Sequence, residues 1–115
     1  MRSILGVWVV ACGLLVPAAQ PLAQDREEAT IRRGDEVYQY WCATCHGAGP
    51  GHPGTAALRA KYKGARPAVL EERTDLTPRS VRFYVRNGVS IMPFFRKTEV
   101  SDADLDAIAA YLTPR

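Results

Sequence analysis

Between Glu27 and Cys42 the chain alternates two kinds of residue at helical spacing. Ile31, Gly34, Tyr38 and Trp41 fall at i, i+3, i+7 and i+10, and Arg32, Arg33, Asp35 and Glu36 occupy the other side. The spacing predicts an amphipathic helix with the first set facing a core. Gly47 to Gly54 holds four glycines, two prolines and His52, and predicts a loop. Thr55 to Tyr62 predicts a short helix capped by Thr55, burying Ala56 and Leu58 and closed by Lys63-Gly64. Pro67 to Arg73 predicts a further turn or two. Thr77-Pro78 is a helix start, with a capping hydroxyl and a proline whose missing N–H costs nothing there. Val81, Tyr84 and Val85 are its expected apolar face, and Asn87-Gly88 ends it because glycine accepts the left-handed backbone beyond a helix. Val89 to Lys97 is expected to be an extended loop around Met92-Pro93. Ser101 caps a last helix, with Asp102 and Asp104 at the positive end of its dipole and Leu105, Ile108 and Leu112 as its buried stripe. No segment alternates as a strand does, and no repeat is visible. The expected class is all-α: three main helices, one or two short ones, and long loops.

The N-terminus has a different pattern. Met1-Arg2 is followed by an almost unbroken apolar run from Ile4 to Ala19, then by small residues, then by Asp25-Arg26-Glu27-Glu28. A basic start, a short apolar core and small residues before a polar stretch predict a secretory signal over residues 1–23. Cleavage is placed after Ala23, with Ala19 as the alternative. A retained anchor is the rival, but the run is about 16 residues against the roughly 20 that span a bilayer, and Pro17 interrupts it. Val9-Val10-Ala11-Cys12 loosely resembles a lipidation site, with too short an apolar stretch before the cysteine. Residues 24–115 then form one exported domain, expected in the periplasm with no membrane span of its own.

Composition narrows the function. The 115 residues are 47% hydrophobic and 23% charged, ordinary for one globular domain and too apolar for a disordered chain. A net charge of +3 is too small for a committed nucleic-acid binder. Cleavage removes 23 of the 115 residues and leaves 92; Arg2 goes with them, so the charge falls to +2. Cys12 and Met1 also go, leaving Cys42, Cys45 and Met92. A chain this short buries a modest core and often needs a metal or cofactor. Two free thiols would not last in an oxidising compartment.

Cys42-Ala43-Thr44-Cys45-His46 is C-x-x-C-H, the attachment motif of c-type haem. Two thiols one helical turn apart can each form a thioether to one haem vinyl group, and the next residue, His46, then lies beneath the iron. A dithiol redox pair lacks its usual strands here, and a zinc site would have to be built from two cysteines and two histidines within eleven residues. Met92 is the only methionine left after cleavage. It follows a helix end and precedes a proline, where a loop can project its thioether to the other haem face; a core methionine filling a gap is the alternative. His52 is a second candidate sixth ligand, but the loop would have to carry it from one haem face to the other within six residues; a solvated loop histidine is the plainer expectation. The Pro53 carbonyl is expected to accept a hydrogen bond from the non-ligating nitrogen of His46, with Pro50 as competitor. Tyr38, Trp41, Tyr84, Phe94, Phe95 and Tyr111 are expected to wall the haem or the helix crossings. Arg59, Lys61, Lys63 and Arg66 form a basic run: a solvated face, partners for haem propionates, or a docking patch.

These residues resemble class I cytochromes c, which carry C-x-x-C-H near the end of an N-terminal helix and Met-Pro in a loop before a C-terminal one. The two helices of that family cross at glycine and aromatic positions, matched here by Gly34, Tyr38 and Tyr111. The resemblance covers about residues 30 to 113. It implies one covalently attached haem c in a class I cytochrome c fold, with His46 and Met92 as axial ligands. The stretches Pro67 to Pro78, Arg86-Asn87-Gly88 and Met92 to Glu99 are similar to a narrower group, small cytochromes that are subunits or partners of periplasmic dehydrogenases, including flavoproteins of the p-cresol methylhydroxylase type. One departure is that the usual Gly-Pro-x-Leu reads here His52-Pro53-Gly54-Thr55-Ala56-Ala57-Leu58. The expected function is single-electron transfer rather than enzyme catalysis. The donor would be a flavin- or quinone-dependent dehydrogenase, and the acceptor an oxidase or another cytochrome. A small-molecule sensor or haem enzyme with an open sixth site is the rival class. A free carrier serving a terminal oxidase is the rival partner assignment.

Overall fold

The computed structural model describes residues 20–114. The apolar run of the expected signal lies outside the described residues up to Ala19. Five helices follow: α1 Gln20–Trp41, α2 Ala43–His46, α3 Pro53–Tyr62, α4 Pro78–Asn87 and α5 Asp102–Leu112. A single 3-10 turn, Leu70–Glu72, interrupts the segment between α3 and α4. No strand occurs among the described residues; Val89 and Met92 form one isolated bridge. The all-α expectation holds.

The core sits where α1 crosses α5, with α4 also packed on α5. Val37 and Tyr38 from α1, Val81 and Val85 from α4, Val100, and Leu105, Ile108, Ala109 and Leu112 from α5 form one buried cluster. The crossing is close because Gly34 has no side chain. A Cβ there would stand 2.1 Å from the Ala107 carbonyl oxygen and 2.8 Å from Tyr111 Cβ. The Tyr38 and Tyr111 rings meet at 5.5 Å one turn further on. The expected Gly34–Tyr38–Tyr111 contact is therefore present.

The helix ends follow their caps. Thr77 and Ser80 form a reciprocal capping box at α4, and Gly88, at φ +69°, ends it. The Ser101 hydroxyl accepts from Asp104 N–H at α5.

Four local expectations are corrected. The first helix begins at Gln20 rather than Glu27; residues 22–30 are all exposed, so this extension is held by local helix formation and not by packing. Trp41 is exposed, and Val37 takes its place in the core. Tyr84, expected on the buried face of α4, is 45% exposed, leaving Val81 and Val85 to make that face. Thr55 is not a cap: Pro53 already occupies the first turn of α3, so the cap moves back to His52 and Thr55 is fully buried.

Candidate functional site

The C-x-x-C-H motif follows α1 directly, with Cys42 between the two helices. Cys42 N–H donates to Tyr38 carbonyl at 2.8 Å, and His46 N–H donates to Cys42 carbonyl at 2.9 Å. The motif is therefore one helical turn, with the two thiols on it, and His46 is the last residue of α2. Both cysteines are free thiols, Cys42 half-buried and Cys45 exposed. Burial, and secondarily the Cys45 thiol, push Cys42 up to about 11. Burial also pushes the His46 ring below its usual range, so the imidazole is neutral at neutral pH.

Three side-chain hydrogen bonds fasten the backbone around this turn. Tyr38 Oη donates to the His46 carbonyl at 3.2 Å. Thr55 Oγ1 donates to the Gly47 carbonyl at 2.9 Å. His52 Nδ1 lies 3.0 Å from the Thr44 carbonyl, so this partly exposed loop histidine is also tied to the motif. α3 also comes close: a Cβ on Gly54 would stand 2.8 Å from the Cys45 carbonyl oxygen and 2.8 Å from His46 Cε1.

His46 Nδ1 is buried and has no partner. The hydrogen bond expected from this ring to the Pro53 carbonyl is not made. Pro53 is the first residue of α3, where a carbonyl points along the helix into its own ladder. The Pro50 carbonyl does not serve either.

Met92 sits beyond the end of α4. Its N–H donates to Val89 carbonyl at 2.9 Å, and Val89 N–H donates to Met92 carbonyl at 3.0 Å. Gly88 makes this turn possible, since a Cβ there would stand 2.7 Å from the Met92 carbonyl oxygen. The loop is tied back to α4 by Phe95 N–H to Val85 carbonyl, 2.8 Å, and by Arg86 Nη1 to Phe95 carbonyl, 3.0 Å. Met92 and Cys42 are both half-buried against the same core cluster. Val89, Ile91 and Phe94, large apolar residues beside Met92 in sequence, are exposed.

These features fit a covalently held haem. Two free thiols stand one helical turn apart. The histidine after them keeps a buried nitrogen that nothing among the described residues satisfies. Apolar surface of the kind a porphyrin covers lies open on the Met92 loop. Among the described residues no three His, Cys, Asp or Glu side chains converge as metal ligands. No helix of the described residues is long and apolar enough to cross a membrane.

One cluster escaped the sequence pattern. The Arg73 side chain is only 6% exposed. Its guanidinium grips Asp75 through two bonds, 2.8 and 2.7 Å, and lies 4.9 Å from the centre of the Tyr62 ring. Arg73, and behind it Arg66 at 3.0 Å, hold the Asp75 carboxyl below the usual carboxylate range. Of the expected basic run, Arg66 is thus ion-paired, while Arg59, Lys61 and Lys63 are exposed and make no ion pair among the described residues. Tyr111 hydrogen-bonds Glu71, tying the 3-10 turn to α5.

Residues 29–112 match the family model described as cytochrome c oxidase, cbb3-type, subunit III. No curated protein and no solved structure matches the chain closely enough to add to this. With the match spanning nearly all the described helical domain, the chain belongs to that family and is a class I c-type cytochrome that binds haem c covalently.

Proposed function

We propose that this protein carries single electrons in the periplasm, from a flavin- or quinone-dependent dehydrogenase towards the respiratory chain. In this reading Cys42 and Cys45 hold the haem as thioethers, and His46 and Met92 ligate its iron. The signal over residues 1–23 is removed on export. The haem supplies the one-electron Fe2+/Fe3+ couple. The observation that carries the reading is the half-buried His46 ring with its buried, unsatisfied Nδ1, directly after the two free thiols.

The chain's own contribution is rigidity. Tyr38, Thr55 and His52 each bond a carbonyl of the motif or its edge, so the histidine backbone is held on three sides. The Met92 turn is pinned to α4 through Phe95 and Arg86. A ligand frame that does not move between oxidation states keeps reorganisation small. Met92, the only methionine beyond Met1, is the loop donor that a second axial position calls for. Cys45 is exposed, which supports a thioether edge of the haem open to redox partners. The chain makes and breaks no substrate bond in this role.

The family description supports a second reading, in which the chain serves a terminal oxidase directly instead of a dehydrogenase. In both readings the electrons leave to a respiratory acceptor. Copurification separates the two: a dehydrogenase subunit copurifies with flavin or quinone cofactor, and a chain serving an oxidase does not.

The test of ligation is the optical spectrum of the purified holoprotein in both redox states. Six-coordinate low-spin iron with the weak near-infrared ferric band of sulfur ligation is expected, and the band should vanish in Met92→Ala. A high-spin ferric spectrum without that band in the wild type would overturn Met92 as ligand and favour a sensor or enzyme.

A further inference from the structure

The two candidate iron ligands sit on segments far apart in sequence, His46 on the turn after α1 and Met92 on the loop after α4. Among the described residues no hydrogen bond and no ion pair joins these two segments. The backbone bonds of the loop run elsewhere, to α4 through Phe95 and Arg86 and across its own turn through Val89 and Met92. The loop therefore hangs on α4, and what sets it against the motif is side-chain packing. Three of its large apolar residues, Val89, Ile91 and Phe94, are exposed and contribute little to that packing. A segment with few buried contacts opens more readily than the core does.

One ring contact spans the gap. Trp41, the last residue of α1 and the neighbour of Cys42, meets Phe95 edge-on, with ring centres 5.9 Å apart and planes at 76°. This is one of the arrangements that aromatic pairs favour. Of the other aromatic pairs, Tyr38–Tyr111 closes the helix crossing, and Tyr40–Trp41 and Phe83–Tyr84 each lie within one helix. Trp41–Phe95 is thus the one aromatic pair among the described residues that joins the motif end of α1 to the Met92 loop. Phe95 is well placed to pass this contact on. Its N–H and its carbonyl are both bonded to α4, and its side chain packs partly buried against the same cluster as Met92. Trp41, by contrast, is 37% exposed and is not needed in the core, where Val37 covers the crossing.

We propose that Trp41 is a positioning residue for Met92: its ring, braced on Phe95, holds the Met92 loop against the segment that bears His46. The proposal rests on the reading of Met92 as an axial ligand and names what keeps that ligand in place.

The experiment follows cyanide binding to the ferric holoprotein by Soret absorption. Cyanide reaches the iron only when the loop opens, so at low cyanide the second-order rate scales with the open fraction. Wild type is compared with Trp41→Leu, Phe95→Leu, the double variant, Trp41→Phe and Ile108→Val. Leucine keeps an apolar side chain and a good helix former at position 41. Trp41→Leu and Phe95→Leu are each expected to raise the rate about tenfold, the size of one lost aromatic pair. The double variant should be no faster than Phe95→Leu alone, because both substitutions remove the same contact. Trp41→Phe keeps a ring and should stay within about twofold of wild type. Ile108→Val weakens the core away from the loop and should leave the rate at wild type. A Trp41→Leu rate equal to wild type would overturn the proposal while leaving Met92 ligation intact. So would a double variant about a hundredfold faster than wild type, a Trp41→Phe as fast as Trp41→Leu, or an Ile108→Val as fast as either. A wild type that lacks the near-infrared sulfur band and takes cyanide without delay would bring down Met92 ligation itself, and the role of Trp41 with it.

Discussion

Replacing Gly34 with alanine tests the crossing on which the whole haem frame is built. The new methyl would stand 2.1 Å from the Ala107 carbonyl oxygen and 2.6 Å from its carbon. Ordinary carbon–oxygen contact begins at about 3.3 Å, so α1 and α5 must part by roughly 1 Å. That gap opens along Val37, Tyr38, Ile108 and Leu112, each buried in the shared cluster. Each such side chain contributes about 1.5–3 kcal/mol, and a gap of 0.5–1 Å forfeits about a quarter to a half of the contact attraction. The loss is therefore about 2–6 kcal/mol. Alanine returns about 1 kcal/mol through its better helix propensity. The net cost is about 1–5 kcal/mol, its lower half the usual range for an overpacked core. In a domain of this size about 2 kcal/mol lowers Tm by roughly 8–16 °C. The assay is guanidinium and thermal unfolding of the ferric holoprotein, followed by circular dichroism and Soret absorption. Gly64→Ala is the comparison: Gly64 has φ +87° and nothing lies within 4 Å of where its methyl would stand, so only left-handed strain of about 1 kcal/mol is at stake. Gly34→Ala as stable as wild type, or no worse than Gly64→Ala, would refute the close crossing.

Two further outcomes follow from the same contacts. Thr55→Val keeps the shape of a fully buried side chain but leaves the Gly47 carbonyl without its 2.9 Å donor, so unfolding should come about 1–3 kcal/mol earlier with the room-temperature haem spectrum unchanged; equal stability would show that the bond is not part of the frame. Asp75 beside Arg73 and Arg66, Asp102 beside Lys97 and Arg86, and Asp104 beside Arg33 all have carboxyls held below their usual range. A depressed folded-state value stabilises the fold above the unfolded carboxylate value of about 3.9 and is lost as pH falls through the folded value. The guanidinium midpoint should therefore hold from neutral pH down to about pH 5 and fall below about pH 4, less steeply in high salt; Asp75→Asn should flatten part of that fall, and a slope unchanged in this variant would remove the Arg73 pair as its source.

What could be read from the sequence was what depends on neighbours along the chain. The C-x-x-C-H turn, the Thr77 and Ser101 caps and the Gly88 stop all use residues within four positions of one another, and the structure places each as expected. Thr55 failed because two local signals competed: Pro53 starts α3 two residues earlier, and the hydroxyl meant for a cap turns inward to Gly47 instead. Trp41 and Val37 exchanged roles because the helical stripe is wide enough to admit either, and only the position of α5 decides which is covered. The Tyr62–Arg73–Asp75 cluster had no pattern at all, since a guanidinium buried against an aromatic ring eleven residues away leaves no periodic trace.

The same division runs through the site. The atoms that would bind haem are adjacent in sequence or marked by a lone methionine, so their chemistry was legible. The bonds that hold them still are not adjacent: Tyr38 Oη reaches the His46 carbonyl across eight residues, and Thr55 reaches Gly47 across eight more. Pro53 shows the consequence. Its place after the motif suggested an acceptor for the His46 ring, yet being first in α3 commits its carbonyl to that helix, and the ring nitrogen stays unpaired. The ring is instead positioned by close packing on Gly54 and by the backbone bonds on either side of it. Orientation of the histidine thus comes from the frame rather than from a direct hydrogen bond to its side chain. Substitutions at Tyr38 and Gly54, which touch His46 itself, should consequently disturb haem ligation more than substitution of Pro53 by another residue that starts a helix well.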